Sequence, residues 1–445
     1  MTARLLALFK AILPAPFTIA VLLTAFTFLL AYFLGPNSSS SLDLLSYWEK
    51  GLWNGPLLVF AMQMMLMLVL GHVLALSNVV SRYIDKASRL CHDSASAAAL
   101  VTLLTLLVSL FNWGLGLVFG AIFARKVGEY FSKNKIPLNY PLIGAAGYSG
   151  LMVWHGGISG SAPIKIAEKG HFLEQQMGVI AQSETIFSTM NLSVSLVLLI
   201  VLPLFMYYLS TKSKQVVTPL KVENDGPDVA SDAIEGADKL NHSKWLAFSF
   251  GGIILLYCLY KAFILPERVT LSFITPNFIN LFLLGLGIFC HTNFSHFLKA
   301  VNKAIGGASG ILIQFPLYFG IMGLMNYSGL VSVFSDFFVG ISNEITFPIY
   351  TFLSAGIVNV FVPSGGGQWG VQGPIIIEAA NQLNVPYWKA VMALAYGDQL
   401  TNMLQPFWAL PLLGITGLKA KDILPYSILL MLVGAVIFIS GILIF

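Results

Sequence analysis

Charge is what this chain has least of. Only 10% of its 445 residues are Asp, Glu, Lys or Arg, and 57% are hydrophobic, against ~25% charged in a soluble domain. Mean hydropathy is +0.80. This excludes a large water-soluble domain and leaves a polytopic membrane protein. Cysteine is scarce as well. Cys91, Cys258 and Cys290 are scattered, with no CxxC or Cys/His cluster, so neither disulfides nor a zinc site is expected. No basic tract with interleaved aromatics is present, which argues against nucleic acid. No Gly-Lys-Ser/Thr, nucleophile elbow or His-Glu-x-x-His motif accompanies the glycine-rich segments, so no enzyme and no cofactor are expected. The first apolar run, 16–35, lacks a small-x-small cleavage site after it and reads as a retained span.

What is present in quantity is uncharged apolar sequence. Runs near 16–35, 55–76, 138–156, 179–209, 245–265, 274–290, 305–327, 388–412 and 424–445 read as spans of ~20 residues. The expectation is an all-α polytopic protein with about nine or ten transmembrane helices. Residues 211–244 are the only long polar stretch. They read as a cytoplasmic linker between a first repeat (1–210) and a second (245–445). The segment 78–93 alternates Val79, Val80, Tyr83 and Ile84 with Arg82, Lys86 and Arg89, the pattern of a surface amphipathic helix.

One run is too long for a single span. Between Ile345 and Ile377 lie 33 residues without a charge, centred on Asn359-Val-Phe-Val-Pro363-Ser364-Gly-Gly-Gly367-Gln368-Trp369. Non-helical backbone at membrane depth survives only inside protein or beside water. A re-entrant hairpin over 345–377 is therefore expected. A second hairpin is expected over 97–123, with Asn112-Trp-Gly114 at its tip. Its flanks, Arg82–Arg89 and Arg125–Lys135, are both basic and so both cytoplasmic. Counting spans onward places the linker and the Lys299/Lys303 and Lys419/Lys421 segments inside. Asp336, Glu344 and Glu378 fall outside. One hairpin then enters from each side, as in inverted-repeat transporters. An offset near 248 aligns Tyr140–Tyr148 with Tyr387–Tyr396, Pro163 with Pro411, and Asn112 nearly with Asn359. The extra span of the second half is expected near 305–327.

Four constellations carry chemistry. Ser364, Gly365, Gly366, Gly367, Gln368 and Trp369 offer backbone N–H groups and side-chain donors suited to a carboxylate. In Tyr396-Gly397-Asp398-Gln399-Leu-Thr401-Asn402 a carboxylate sits mid-span, where charge is costly. It reads as a proton- or Na⁺-binding group, or as a structural acid satisfied by amides. Tyr148 to Pro163 holds His155 in a Gly/Ser-rich stretch at the equivalent place of the first half. In Gln182-Ser183-Glu184-Thr185, Ser183 or Thr185 reads as a helix cap with Glu184 in the first turn, or Glu184 lines the substrate path.

Four stretches resemble the AtoE-type short-chain fatty acid transporter family. They are Trp154–Pro163, Ser183–Ser188, Val360–Pro374 and Gly397–Pro411. The resemblance implies uptake of short-chain carboxylates such as butyrate or acetoacetate. It also implies the wider ion-transporter superfamily, with inverted repeats, opposed hairpins and elevator-like movement. In that pattern the substrate and coupling ion sit among Asn112 to Gly116, Tyr148 to His155, Asn359 to Gln368 and Gly397 to Asn402. The expectation is symport with H⁺ or Na⁺ at Asp398, Gln399, Thr401, Asn402 and Glu184, in a bacterial inner membrane with a cytoplasmic N-terminus. A homodimer follows by superfamily analogy alone. Alternatives are a carrier of larger anions such as C4-dicarboxylates, a passive channel, or a membrane enzyme. No intramembrane Arg supports the first, and Lys165, the nearest basic residue, is expected in a loop.

Overall fold

The computed structural model describes residues 15–37, 40–217, 220, 236–266 and 270–445. Arg4, Lys10 and most of the polar linker lie outside them. A first series of helices comprises α1 (Pro16–Leu34), α2 (Ser41–Leu52), α3 (Gly55–Ala75), α4 (Asn78–Ser88), α5 (Ser94–Phe111), α6 (Trp113–Lys133), α7 (Tyr140–Tyr148), α8 (Ser161–Lys165) and α9 (Thr189–Lys212). Helix α10 (Lys244–Leu259) follows. A second series comprises α11 (Pro276–His291), α12 (Phe294–Ala304), α13 (Ser309–Ser328), α14 (Leu330–Ile341), α15 (Phe347–Phe361), α16 (Gly365–Gln382), α17 (Tyr387–Thr401), α18 (Pro406–Thr416) and α19 (Ala420–Ile444). The two series run through long, amphipathic, paired and broken helices in the same order. The element without a counterpart is α10, not the helix near 305–327, because α13 matches α3.

Seven helices among the described residues are long and apolar enough to cross a membrane. Their starts follow local chemistry. Asn54, Ser77, Asn139, Ser188, Ser243, Thr275 and Asn293 each accept the N–H three residues on, which satisfies a donor the helix leaves free. Ser188 therefore starts α9 at Thr189, ten residues after the run expected from 179. The cap expected at Ser183 or Thr185 lies upstream, in turns. Asp93 and Ser96 form a reciprocal box that starts α5.

Both expected hairpins are pairs of antiparallel helices. In the first, α5 and α6 are split by Asn112 alone, whose backbone is extended. Gly116 lies against Ser109 and Gly120 against Thr105, pairings centred on the tip. A side chain at Gly116 would strike Ser109 Oγ, so the close approach needs glycine. The arms run 94–133, further than the 97–123 expected. In the second, α15 and α16 are split by Val362–Ser364, and Gln368 Nε2 reaches back to the Ala355 carbonyl at 2.8 Å. The series also interlock: α1 and α2 pack on α13, while α11 and α12 pack on α3.

Candidate functional site

Two helices break at the centre of the molecule. After Tyr148, α7 passes through tight turns over Ser149–Met152 and Trp154–Gly156, is extended at Gly157 and resumes as α8. After Thr401, α17 passes through a turn over Asn402–Leu404, is extended at Gln405 and resumes as α18. Breaks free backbone groups that must find partners away from water. Tyr148 Oη meets this need across the halves, donating to the Asn402 carbonyl (2.8 Å) and the Gln405 carbonyl (3.1 Å).

The breaks bring His155 and Asp398 together. Both side chains have zero exposure, and His155 Nδ1 lies 2.7 Å from Asp398 Oδ2. The opposite ring nitrogen, Nε2, accepts the Ala162 N–H at 3.1 Å. A ring that accepts at Nε2 carries its proton at Nδ1, so the imidazole is neutral and donates to a carboxylate. Trp154 stacks on the imidazole with centroids 4.4 Å apart, and the Gln399 amide oxygen accepts the His155 N–H at 3.0 Å. The other carboxylate oxygen, Asp398 Oδ1, is buried without a hydrogen-bond partner. A buried carboxylate oxygen left without a partner is costly.

The second hairpin supports this centre. Asn359 Nδ2 contacts the Asp398 carbonyl (2.7 Å), Thr401 Oγ1 (2.9 Å) and Asn402 Oδ1 (3.0 Å), and its own carbonyl accepts from Gln405. Ser364 caps α16 by accepting the Gly367 N–H at 3.1 Å. The glycine run is thus the first turn of a helix, not an irregular nest, and Gly365 and Gly366 present N–H groups at its positive end. A Cβ at Gly365 would fall 2.6 Å from the Trp154 ring and 3.0 Å from Asp398 Oδ2, so this tip touches the His–Asp pair directly. The first hairpin reaches the broken segment before α8 instead: Asn112 caps α6 through the Leu115 N–H (2.7 Å), and the Trp113 backbone N–H donates to Ser159 Oγ (2.9 Å).

A cavity of about 20 Å³ lies where these pieces meet, room for about one water. Ser364, Gly365, Gly366 and Asn402 provide its polar side. Trp113, Trp154, Phe315 and Trp408 are among its apolar walls. Around it, Asn112 Nδ2, Trp113 Nε1 and Trp154 Nε1 are buried donors without partners. Asp398 Oδ1, Asn359 Oδ1 and Gln368 Oε1 are buried acceptors without partners.

Of the residues expected from sequence, Asn112, Tyr148, His155, Asn359, Ser364, Gly365, Gly366, Gln368, Asp398, Gln399, Thr401 and Asn402 are joined in this network. Gly367 is taken by the Ser364 cap. Gly114 is a packing position, where a Cβ would lie 2.9 Å from Leu68 Cα. Trp369 is buried against Phe172, 6.2 Å between centroids, and is not on the cavity wall. Glu184 is exposed in the turns before α9. Lys165 is not in a loop: it ends α8 and is 3% exposed. Sequence reasoning missed Trp113 and Trp408 as walls. Asn191, at the end of the run that begins at Gln182, was given no role from sequence, yet it donates to the Gly156 carbonyl (2.8 Å) and accepts from Tyr396 Oη (3.0 Å). Its signal was a polar residue three positions after a cap, in an apolar helix.

Comparison with known proteins places this geometry. A family model described as short chain fatty acid transporter matches residues 1–445. A protein of Escherichia coli (strain K12) named "Putative short-chain fatty acid transporter" is 37% identical over 439 residues, covering 97% of this chain and 96% of its own. One of the same name from Haemophilus influenzae is 36% identical, covering 96% of each. In fold, the chain is similar to the YdaH transporter of Alcanivorax borkumensis, with TM-score 0.58, 15% identity and 97% of each chain covered. It is also similar to Neisseria gonorrhoeae MtrF, of a class of antimetabolite efflux pumps, with TM-score 0.55, 13% identity and 96% and 95% covered.

Proposed function

The chain belongs to the short chain fatty acid transporter family, and we propose that it is a secondary active carrier taking up short-chain fatty acid anions together with H⁺ or Na⁺. It is a multi-pass membrane transporter. The observation that carries the finer reading is the buried Asp398 carboxylate, with one oxygen unpartnered, beside a cavity walled by aromatic rings. Short-chain carboxylates such as butyrate or acetoacetate match such a cavity: a charged end for the N–H groups at Ser364–Gly366 and the indoles, and a short tail for the walls. No Arg or Lys lines the cavity, which disfavours dicarboxylates.

In this reading the cation binds first, at Asp398 Oδ1. His155 is held neutral by Ala162 and keeps Oδ2 occupied, so charge neutralisation falls on the free oxygen. The anion then enters next to a neutral pair. The cavity as built is too small for butyrate, so the hairpin tips separate to admit it. The two helix series are read as inverted repeats in the inner membrane, with the N-terminus and linker cytoplasmic and the hairpin-bearing elements moving as an elevator-like unit. The test is uptake of labelled butyrate into proteoliposomes under an imposed proton gradient and, separately, a sodium gradient. Accumulation under one gradient supports the reading and names the ion. No accumulation under either, with folded protein, refutes it.

A further inference from the structure

A second polar cluster lies outside the cavity. Glu168, three residues past the end of α8 at Lys165, receives three nitrogens: Lys165 Nζ at 2.5 Å, Gln63 Nε2 at 3.1 and 3.3 Å, and Asn277 Nδ2 at 3.4 Å. These come from three separate elements, α8, α3 and α11. Gln63 is oriented by both sides, its oxygen accepting from Lys165 (3.2 Å) and its nitrogen contacting Asn277 Oδ1 (3.0 Å). Asn280 fixes it further by donating to the Gln63 carbonyl at 2.9 Å. An ammonium and two amides converging on one carboxylate are the donor set of a carboxylate receptor.

We propose that this cradle is a second carboxylate site on the way to the cavity, filled by the chain's own Glu168 when no substrate is present. Lys165 is almost fully buried, but the Glu168 side chain keeps 16% exposure and Asn277 is exposed, so the cradle opens to the outside. On its inner side the Lys165 ammonium sits 5.6 Å from the centre of the Phe60 ring. Phe60 in turn lies against Gly366, whose Cβ would be 3.1 Å from the ring. One aromatic ring therefore separates the cradle from the cavity wall. Glu168 is on a turn, two residues before Gly170 at φ +80°, and can leave the cradle without unwinding a helix. The repeat does not require the cluster: the offset of 248 that matches Pro163 to Pro411 puts Leu413 opposite Lys165.

The ligand class, a monocarboxylate, rests on the proposed function, so the test separates the two. Purified wild type, Glu168→Gln, Lys165→Met and the double variant are titrated with sodium butyrate and sodium acetate, and with sodium chloride as control. Binding is read by calorimetry and thermal shift. A tethered competitor acts at an effective concentration in the mM range, so Glu168→Gln is expected to bind carboxylate about tenfold more tightly than wild type. Lys165→Met keeps the stem on Phe60 but removes the ammonium, and is expected to bind carboxylate more weakly than wild type, alone and in the double variant. An unchanged affinity in Glu168→Gln overturns the cradle, as does a double variant that restores wild-type binding, which marks a structural ion pair. If Lys165→Met does not fold, Glu168→Gln alone decides. If wild type binds no carboxylate but Glu168→Gln does, the cradle stands and the proposed substrate class falls. If neither binds, the cradle is overturned.

Discussion

Replacing Asp398 by Asn tests the coupling scheme most directly. The substitution keeps the size of the side chain and an oxygen for the His155 Nδ1 proton, now 2.7 Å from Oδ2, but removes the charge. Gly365 touches both Asp398 and the cavity, so a carboxylate bound at the Ser364–Gly366 N–H groups stands roughly 6 Å from the Asp398 carboxylate. At an effective dielectric near 20 the repulsion is about 3 kcal/mol, a factor of about a hundred in affinity. In the proposed scheme the coupling cation relieves this repulsion, and by reciprocity the anion strengthens cation binding equally. The wild-type KM for butyrate is therefore expected to fall about a hundredfold when the coupling cation is supplied. In Asp398→Asn that ratio collapses towards one. Concentrative uptake disappears, while exchange of internal for labelled external butyrate persists. The assay is proteoliposome uptake with and without the gradient, with monodispersity in detergent as the folding control. Gradient-driven accumulation by folded Asp398→Asn would remove Asp398 from the mechanism.

Gly365→Ala places a methyl 2.6 Å from the Trp154 ring and 3.0 Å from Asp398 Oδ2. We expect folded protein destabilised by about 1–3 kcal/mol, with uptake by the folded fraction reduced at least tenfold; unchanged transport would show that the tip has slack. Asn191→Leu leaves the Tyr396 hydroxyl and the Gly156 carbonyl without this partner. It should destabilise the protein by about 1–3 kcal/mol for each group stranded, read as a lower melting temperature, whereas an unaltered melting curve counts against a structural role. At Asp93 the Ser96 N–H holds the carboxyl below the usual carboxylate range. A depressed folded value gives stabilisation that is present above the ordinary carboxylate pKa and lost as pH falls through the depressed one. Asp93→Ala is expected to cost about 1 kcal/mol at neutral pH, with the gap to wild type closing in acid; a gap independent of pH would refute the assignment.

Sequence alone determined the class of this protein and the positions of its breaks. Low charge and long apolar runs dictate membrane spans, and the period and caps dictate where helices begin. Gly, Pro and amide residues inside uncharged runs mark where the backbone must leave the helix, because lipid gives freed N–H and C=O groups no partner. The breaks at Asn112 and at Val362–Ser364 fall inside the segments expected as hairpins for that reason. The partners were not legible. That His155 meets Asp398, 243 residues away in the chain, depends on how two broken helices cross. The neutral state of the imidazole depends on one backbone N–H, Ala162. Lys165 read as a loop cation because its sequence neighbourhood is Pro- and Gly-rich. Only the tertiary fold, which packs α8 against α16 and α17, buries it and brings Gln63 of α3 and Asn277 of α11 to the Lys165–Glu168 pair. Trp369 read as part of the carboxylate-binding run, but a helix starting at Gly365 turns it toward Phe172. Local signals reach a few residues along the chain, whereas burial and charge pairing are set by segments brought together from opposite ends of it, and those only the tertiary structure decided.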